Sequence, residues 1–293
     1  TPARITVTTQ ALVVVLTRLV DPRGRRGRRY PLTAVVAAGI AATLAGARSF
    51  TAIAAWLADQ DPSVSAALGF QERRRAPNES VFRRLFARLD PEALDAVIGA
   101  WMWTATRHIA GRRVIAVDGK TVRGARTSGA AAPHLVAAFD HAAGVVLGQV
   151  AVAAKTNEIP TVRTLLKILD LAGAVLTIDA MHTQDDTAQL IRSAGGDYVF
   201  TVKRNRPSLH AALKTLPWKD IPDHGSTEKN KGRRVRRTIK AITVPAWVTF
   251  PGAAVVAQLR RTVTVKGKTT VEVVYVITSA DVDPPTLAAW VQG

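Results

Sequence analysis

Val114-Ile115-Ala116-Val117-Asp118 and Val175-Leu176-Thr177-Ile178-Asp179 are two short apolar runs, each ending on an aspartate. Bounded runs of this length, rich in β-branched residues, read as buried strands. A carboxylate is costly to bury alone, so each aspartate is expected to emerge at its strand's end, within reach of water or a cation. If the two strands lie side by side, the two carboxylates form the beginning of a divalent-cation site.

Working outward, the pattern from about Arg112 alternates. Three strands come in quick succession, Val114–Val117, Leu135–Phe139 and Val145–Val152, the last two joined by a tight turn at Gly144. A helix (Thr161–Leu169), the strand Val175–Ile178, a helix (Asp185–Ser193) and the strand Tyr198–Val202 follow. Beyond Lys203 comes a polar, basic insertion, then two alternating runs, Val255–Val265 and Thr270–Thr278. Three antiparallel strands followed by alternating helices and strands is the order of the ribonuclease H-like α/β fold. Its mixed sheet holds the first and fourth strands as parallel central neighbours. Asp118 and Asp179 are then expected to meet at the carboxyl ends of those strands, where α/β sheets place their ligands. Two facing carboxylates repel unless a cation lies between them, and hard oxygen donors select Mg²⁺ or Mn²⁺. A two-ion site for phosphodiester chemistry normally needs a third carboxylate as well.

Residues 1 to about 110 read as an all-α segment. Ala11–Val20 is one helix, Pro31 opens an Ala-rich one, and Ser49 caps another carrying Phe50, Ile53 and Leu57. Asn78 is the expected cap of a helix with Phe82, Leu85, Phe86 and Leu89 at helical spacing, and Pro91 starts the next. Between the first two helices, Arg23, Arg25, Arg26, Arg28 and Arg29 with two glycines read as a flexible cationic loop.

Composition narrows the partner. The 40 Lys+Arg against 22 Asp+Glu give a formal charge of +18, which argues for a polyanion, nucleic acid ahead of an anionic membrane. The absence of cysteine excludes disulfides, thiolate metal sites and a Cys nucleophile. No secretory signal opens the chain, and Leu32–Ala47, interrupted by Gly39 and Gly46, is shorter than the roughly 20 apolar residues a bilayer requires. The expectation is a cytoplasmic protein, nucleoid-associated when bound to DNA. The missing initiator Met and the apolar stretch Leu287–Val291 at the end suggest a piece of something longer.

The residues around both aspartates resemble insertion-sequence transposases of the H-repeat-associated type. The blocks are Asp118-Gly119-Lys120-Thr121-Val122-Arg123-Gly124, His134-Leu135-Val136, Lys155-Thr156-Asn157-Glu158-Ile159, Thr177-Ile178-Asp179-Ala180-Met181 and Gly195-Gly196-Asp197-Tyr198-Val199. Asp21-Pro22-Arg23, Gly46-Ala47-Arg48-Ser49 and Ser80-Val81-Phe82-Arg83-Arg84-Leu85 are similar to that family's associated helical domain. The resemblance implies a DNA-binding N-terminal domain over 1–110 and a DDE catalytic domain over 111–293, with a β-rich insertion at about 217–280. It makes Asp118 and Asp179 the first two acids of the DDE triad and the ligands of Mg²⁺ (or Mn²⁺), two ions in the complete site. It implies cut-and-paste transposition of double-stranded DNA by a homodimer paired on element ends, with no membrane involved. The family's third acid is a Glu in a C-terminal helix. No residue before Gly293 matches its motif, so the final catalytic helix is expected to be missing. Glu272, between Val271 and Val273, reads as the outward face of a strand.

Other candidates follow from position. Lys120 lies two residues after Asp118, and Lys203, Arg204 and Arg206 follow the fifth strand on the aspartates' side; all are expected to hold phosphates, as are Arg233, Arg234, Arg236, Arg237 and the Arg25–Arg29 cluster. Glu158 reads as a loop salt bridge ahead of a support to the site, and His134, His182 and Asp185 lack a ligand spacing, with His182 a candidate for supporting the site. Contacts to phosphates carry no sequence information, so end recognition is assigned to a helix such as Asn78–Leu89. Two alternatives stand beside the transposase: a truncated, inactive DNA-binding remnant, and a ribonuclease H-like nuclease without transposition.

Overall fold

The computed structural model describes residues 12–292 apart from 72–74, 104–108, 110, 127–128, 130, 153–157 and 231. Ala11, the arginines at 73–74 and the Lys155-Thr156-Asn157 block fall outside them. The chain divides into two compact units, Thr1–Thr104 and Ala105–Gly293.

The first unit is helical. After a short helix at 12–16 come α1 (Leu32–Leu44), α2 (Phe50–Ala58), α3 (Pro62–Ala67), α4 (Glu79–Phe86) and α5 (Pro91–Trp103). Side-chain caps account for several starts: the amide of Ala52 donates to Ser49 Oγ, that of Ser63 to Asp61, and those of Glu92 and Ala93 to Asp90. Asn78 occupies the cap position of α4, but its side chain accepts from Ser80 Oγ instead. Val35, Val36, Leu57, Phe82 and Leu85 are buried together. Gly39 of α1 lets α4 approach, since a Cβ there would lie 2.9 Å from the Phe86 ring. Two expectations change here. The first helix stops at residue 16, short of Val20. The arginine loop is not uniformly solvated: Arg23 is 8% exposed, pairs with Asp21 at 2.9 Å and donates to the Tyr30 carbonyl. A carboxylate two residues upstream can chelate that guanidinium, and Asp21's pKa is lowered chiefly by this bond.

The second unit is a mixed α/β body built on one nine-stranded sheet, in the order β3-β2-β1-β4-β5-β9-β8-β7-β6. Its strands are β1 (Arg113–Thr121), β2 (His134–Asp140), β3 (Val145–Ala151), β4 (Ala174–Ile178), β5 (Asp197–Val202), β6 (His224–Asn230), β7 (Arg233–Thr243), β8 (Val255–Val265) and β9 (Lys268–Thr278). The helices are α6 (Glu158–Ile168), α7 (Asp185–Ser193), α8 (Pro207–Lys214) and α9 (Pro284–Gln292). β1 runs antiparallel to β2 and parallel to β4, and β4 runs parallel to β5. The β-rich segment is no separate body, because β9 pairs antiparallel with β5 and carries β8, β7 and β6 outward in the same sheet. Within the expected β-rich insertion, the basic residues at 229–230 and 233–237 lie on the paired strands β6 and β7, whose individual positions the sequence did not give, and α8 and α9 were not expected. α9 closes one sheet face: Leu287, Ala288 and Trp290 are buried with Val114, Val175, Val199, Ile239 and Val276. Among the described residues no helix is long and apolar enough to cross a membrane.

At the amino end of β5 the sheet is pinned electrostatically. Asp197 accepts from Arg112 (2.7 Å), Ser279 (2.7 Å) and the Arg192 guanidinium, joining the start of β1, the end of α7 and the end of β9. Asp197→Ala leaves these donors facing a poorly hydrated space. It is expected to lower unfolding stability by about 2–3 kcal/mol, read from urea denaturation.

Candidate active site

The site begins with strand register. The last parallel pair of β1 and β4 is Val117 with Ile178, and the next residue of each strand is an aspartate. Residues two apart along a strand share a face. Asp118 therefore shares the face of Val114 and Ala116, and Asp179 that of Val175 and Thr177, which is the face α9 covers. Both aspartates are exposed. Asp179 also caps a 3₁₀ turn over Ala180–His182, its Oδ1 accepting from the Ala180 amide at 2.7 Å and lying 3.5 Å from Lys203 Nζ. Their hard carboxylate oxygens suit a divalent cation of the Mg²⁺ or Mn²⁺ kind. Among the described residues, no three His, Asp or Glu side chains converge to hold a metal.

Glu158 departs from the expected loop ion pair. It is the first residue of α6, and its two oxygens lie 2.6 Å from His134 Nε2 and 3.4 Å from His182 Nε2. A carboxylate only accepts, so each imidazole is the donor. Thr121 Oγ1 lies 2.9 Å from His134 Nδ1 and completes a chain from β1 through β2 to α6 and the turn after Asp179. A Cβ on Gly119 would stand 2.6–2.8 Å from the Glu158 carboxylate group, so glycine next to Asp118 is what admits that group. His182 is buried, and burial lowers its pKa against the opposing pull of Glu158, Asp179 and Asp118. Pattern reading missed this cluster because its members come from separate elements. The one local signal was the glycine directly after Asp118.

The expected cations separate by face. Lys120 is exposed and shares the face of Asp118. Lys203 lines a cavity of about 580 Å³ with Arg237, Arg261, Glu272 and α9. A smaller cavity contains Asp179 and shares the wall residues Thr201 and Val291 with it, so the two cavities adjoin. Arg261, missed in the sequence, stands opposite both Arg237 and Glu272 in register. Glu272 is exposed, as expected for an outward strand position, but on the groove side. Arg204 lines a third cavity with Lys203 and Glu272. Arg206 is engaged internally, donating to Asp185 at 2.8 Å and lying over the Phe250 ring. Arg233 shares the face of Arg237, while Arg234 and Arg236 line a cavity of about 410 Å³ on the opposite side.

Comparison with known proteins gives matches over both units. Residues 109–293 match the family described as Transposase DDE domain, and residues 13–102 match the DDE_Tnp_1-associated family. A protein from the dhlA 3′ region of Xanthobacter autotrophicus is 29% identical over 284 residues, covering 90% of this chain and 92% of that one. YncI of Escherichia coli O157:H7, which carries a transposase name, is 39% identical over 140 residues, covering 47% of this chain and 36% of its own. YhhI of E. coli K12, named as an H repeat-associated transposase, is 38% identical over 140 residues, with 45% and 37% covered. The matched part thus spans little more than a third of the two E. coli relatives.

The Glu158 cradle has a direct stability test. Gly119→Ala drives a methyl group into the carboxylate and is expected to cost about 1–3 kcal/mol in urea unfolding. In a Glu158→Ala background the obstruction is gone, so the same change should cost distinctly less.

Proposed function

The chain belongs to the family of DDE-domain transposases, and from that premise we propose that it cuts and joins double-stranded DNA at the ends of an insertion sequence. One observation carries the reading: the parallel register of β1 and β4 that ends on Asp118 and Asp179, both exposed on one sheet face. The strand order β3-β2-β1-β4-β5 supports assigning the central sheet to the ribonuclease H-like fold. The second unit is then the catalytic domain, extended by β6–β9, and the helical first unit a DNA-binding domain.

Asp118 and Asp179 would hold the divalent cation, Mg²⁺ or Mn²⁺. When bound, it supplies Lewis-acid stabilisation for phosphoryl transfer. The chain's own residues supply the rest. Lys203 balances part of the charge on Asp179 and presents an ammonium towards a phosphate at the groove mouth. Lys120, Arg204, Arg233, Arg237 and Arg261 extend the positive lining, which orients the strand so that the scissile phosphate meets the aspartates. Hydrolysis at the element end frees a 3′-hydroxyl, and that hydroxyl attacks a target phosphodiester in line, one P–O bond forming as another breaks. A homodimer brings two ends together.

A second reading, DNA binding without cleavage, has its own support: among the described residues no three acids or histidines are grouped so as to hold a metal ion. Mg²⁺-dependent nicking of end-bearing DNA by the chain as it stands separates the two readings.

Asp118→Asn and Asp179→Asn are each expected to reduce divalent-cation-dependent strand cleavage to background. Duplex affinity should hold or rise slightly, because each change removes a negative charge beside the DNA path. Cleavage at the wild-type rate in either variant sinks the assignment; gel analysis of labelled ends and anisotropy of a labelled duplex provide the two readouts.

A further inference from the structure

We propose that the first unit holds an anion site of its own, in the cleft between the Arg25–Gly27 turn and α4, and that it grips phosphates of a polynucleotide backbone. The cleft has a volume of about 530 Å³ and is lined by Arg23, Arg25, Arg26, Arg84 and Arg88, with no acidic side chain in its wall. Arg84 and Arg88 stand one turn apart, a spacing at which like charges destabilise a helix. The acid of α4, Glu79, pairs with Arg83 at 2.9 Å and leaves that repulsion unrelieved. The other ion pairs of this unit join Asp21 to Arg23 and to Arg28, so among the described residues none reaches Arg25, Arg26, Arg84 or Arg88.

Arg23 adds an independent sign of a missing partner. Asp21 and the Tyr30 carbonyl fix its guanidinium, yet its buried Nη1 has no hydrogen-bond acceptor. Buried guanidinium donors without acceptors are costly, and a phosphate oxygen is an acceptor matched to their planar fork. Five guanidinium groups exceed the need of one small anion. A nucleic-acid strand, with one charge about every 3.4 Å along its axis, supplies anions in series. The choice of a polynucleotide rests on the DNA reading above, although the site lies in the other unit from the aspartates.

The test is anisotropy of a labelled duplex titrated with the whole chain between about 50 and 200 mM salt. The variants are Arg84→Gln/Arg88→Gln, Arg25→Gln/Arg26→Gln and a control pair in the same unit, Arg18→Gln/Arg48→Gln. Each cleft pair is expected to lower the slope of log affinity against log salt by about 0.9 for every phosphate that is no longer neutralised. The control pair should leave the slope near wild type, and no variant should have a lower thermal midpoint than wild type. Wild-type slopes in both cleft pairs, or an equal drop in the control pair, overturn the proposal. Binding of inorganic phosphate that depends on Arg84 and Arg88, with no effect on the duplex slope, overturns the polynucleotide in favour of a small anion. Cleavage by Asp118→Asn is scored separately, so the catalytic reading fails without touching this one; a wild-type chain that does not bind duplex removes both.

Discussion

Two like charges held one strand apart are the constraint from which the second unit is best understood. Parallel pairing of β1 with β4 brings the chain positions after Val117 and Ile178 into register. Neighbouring strands lie about 4.8 Å apart, so these two chain positions emerge side by side at the end of the central strands. Lys203, 3.5 Å from Asp179, offsets part of its negative charge, and both groups stay in contact with solvent. Two exposed carboxylates on the open end of central strands are suited to a cation and the phosphate it attracts.

The sheet also sorts the positive charge. Arg233, Arg234, Arg236 and Arg237 look like one basic patch in the sequence, but a strand alternates its side chains. Arg237 joins Arg261 and Lys203 in the cavity that adjoins the one at Asp179, whereas Arg234 and Arg236 open on the other side. The register of β7 against β8 makes this division, together with the direct pairing of β9 to β5. The basic hairpin is therefore an extension of the same surface that carries the aspartates.

Much of this was legible from residue patterns. β1, β4 and β5 were found because β-branched and aromatic residues run uninterrupted between turn signals, and α7 because its apolar residues recur at helical spacing. Ser49 announced the start of α2 as a capping residue should. α8 and α9 are not evident from apolar spacing, although Pro207 and Pro284 at their first positions were the available signals. The β6–β7 hairpin escaped because charged side chains hid its alternation: β6 is exposed at every position.

What the sequence determined by itself is local: which segments are strands or helices, where each carboxylate emerges, and how strongly basic the chain is. Those properties follow from side-chain shape, periodicity and net charge, which need no knowledge of distant neighbours. Only the tertiary structure decided that Glu158 bridges His134 and His182 beside Gly119, that Arg23 is buried, and that Arg25 and Arg26 share a cleft with Arg84 and Arg88. Each of these depends on how separate elements pack, and no spacing along one element encodes the distance between two.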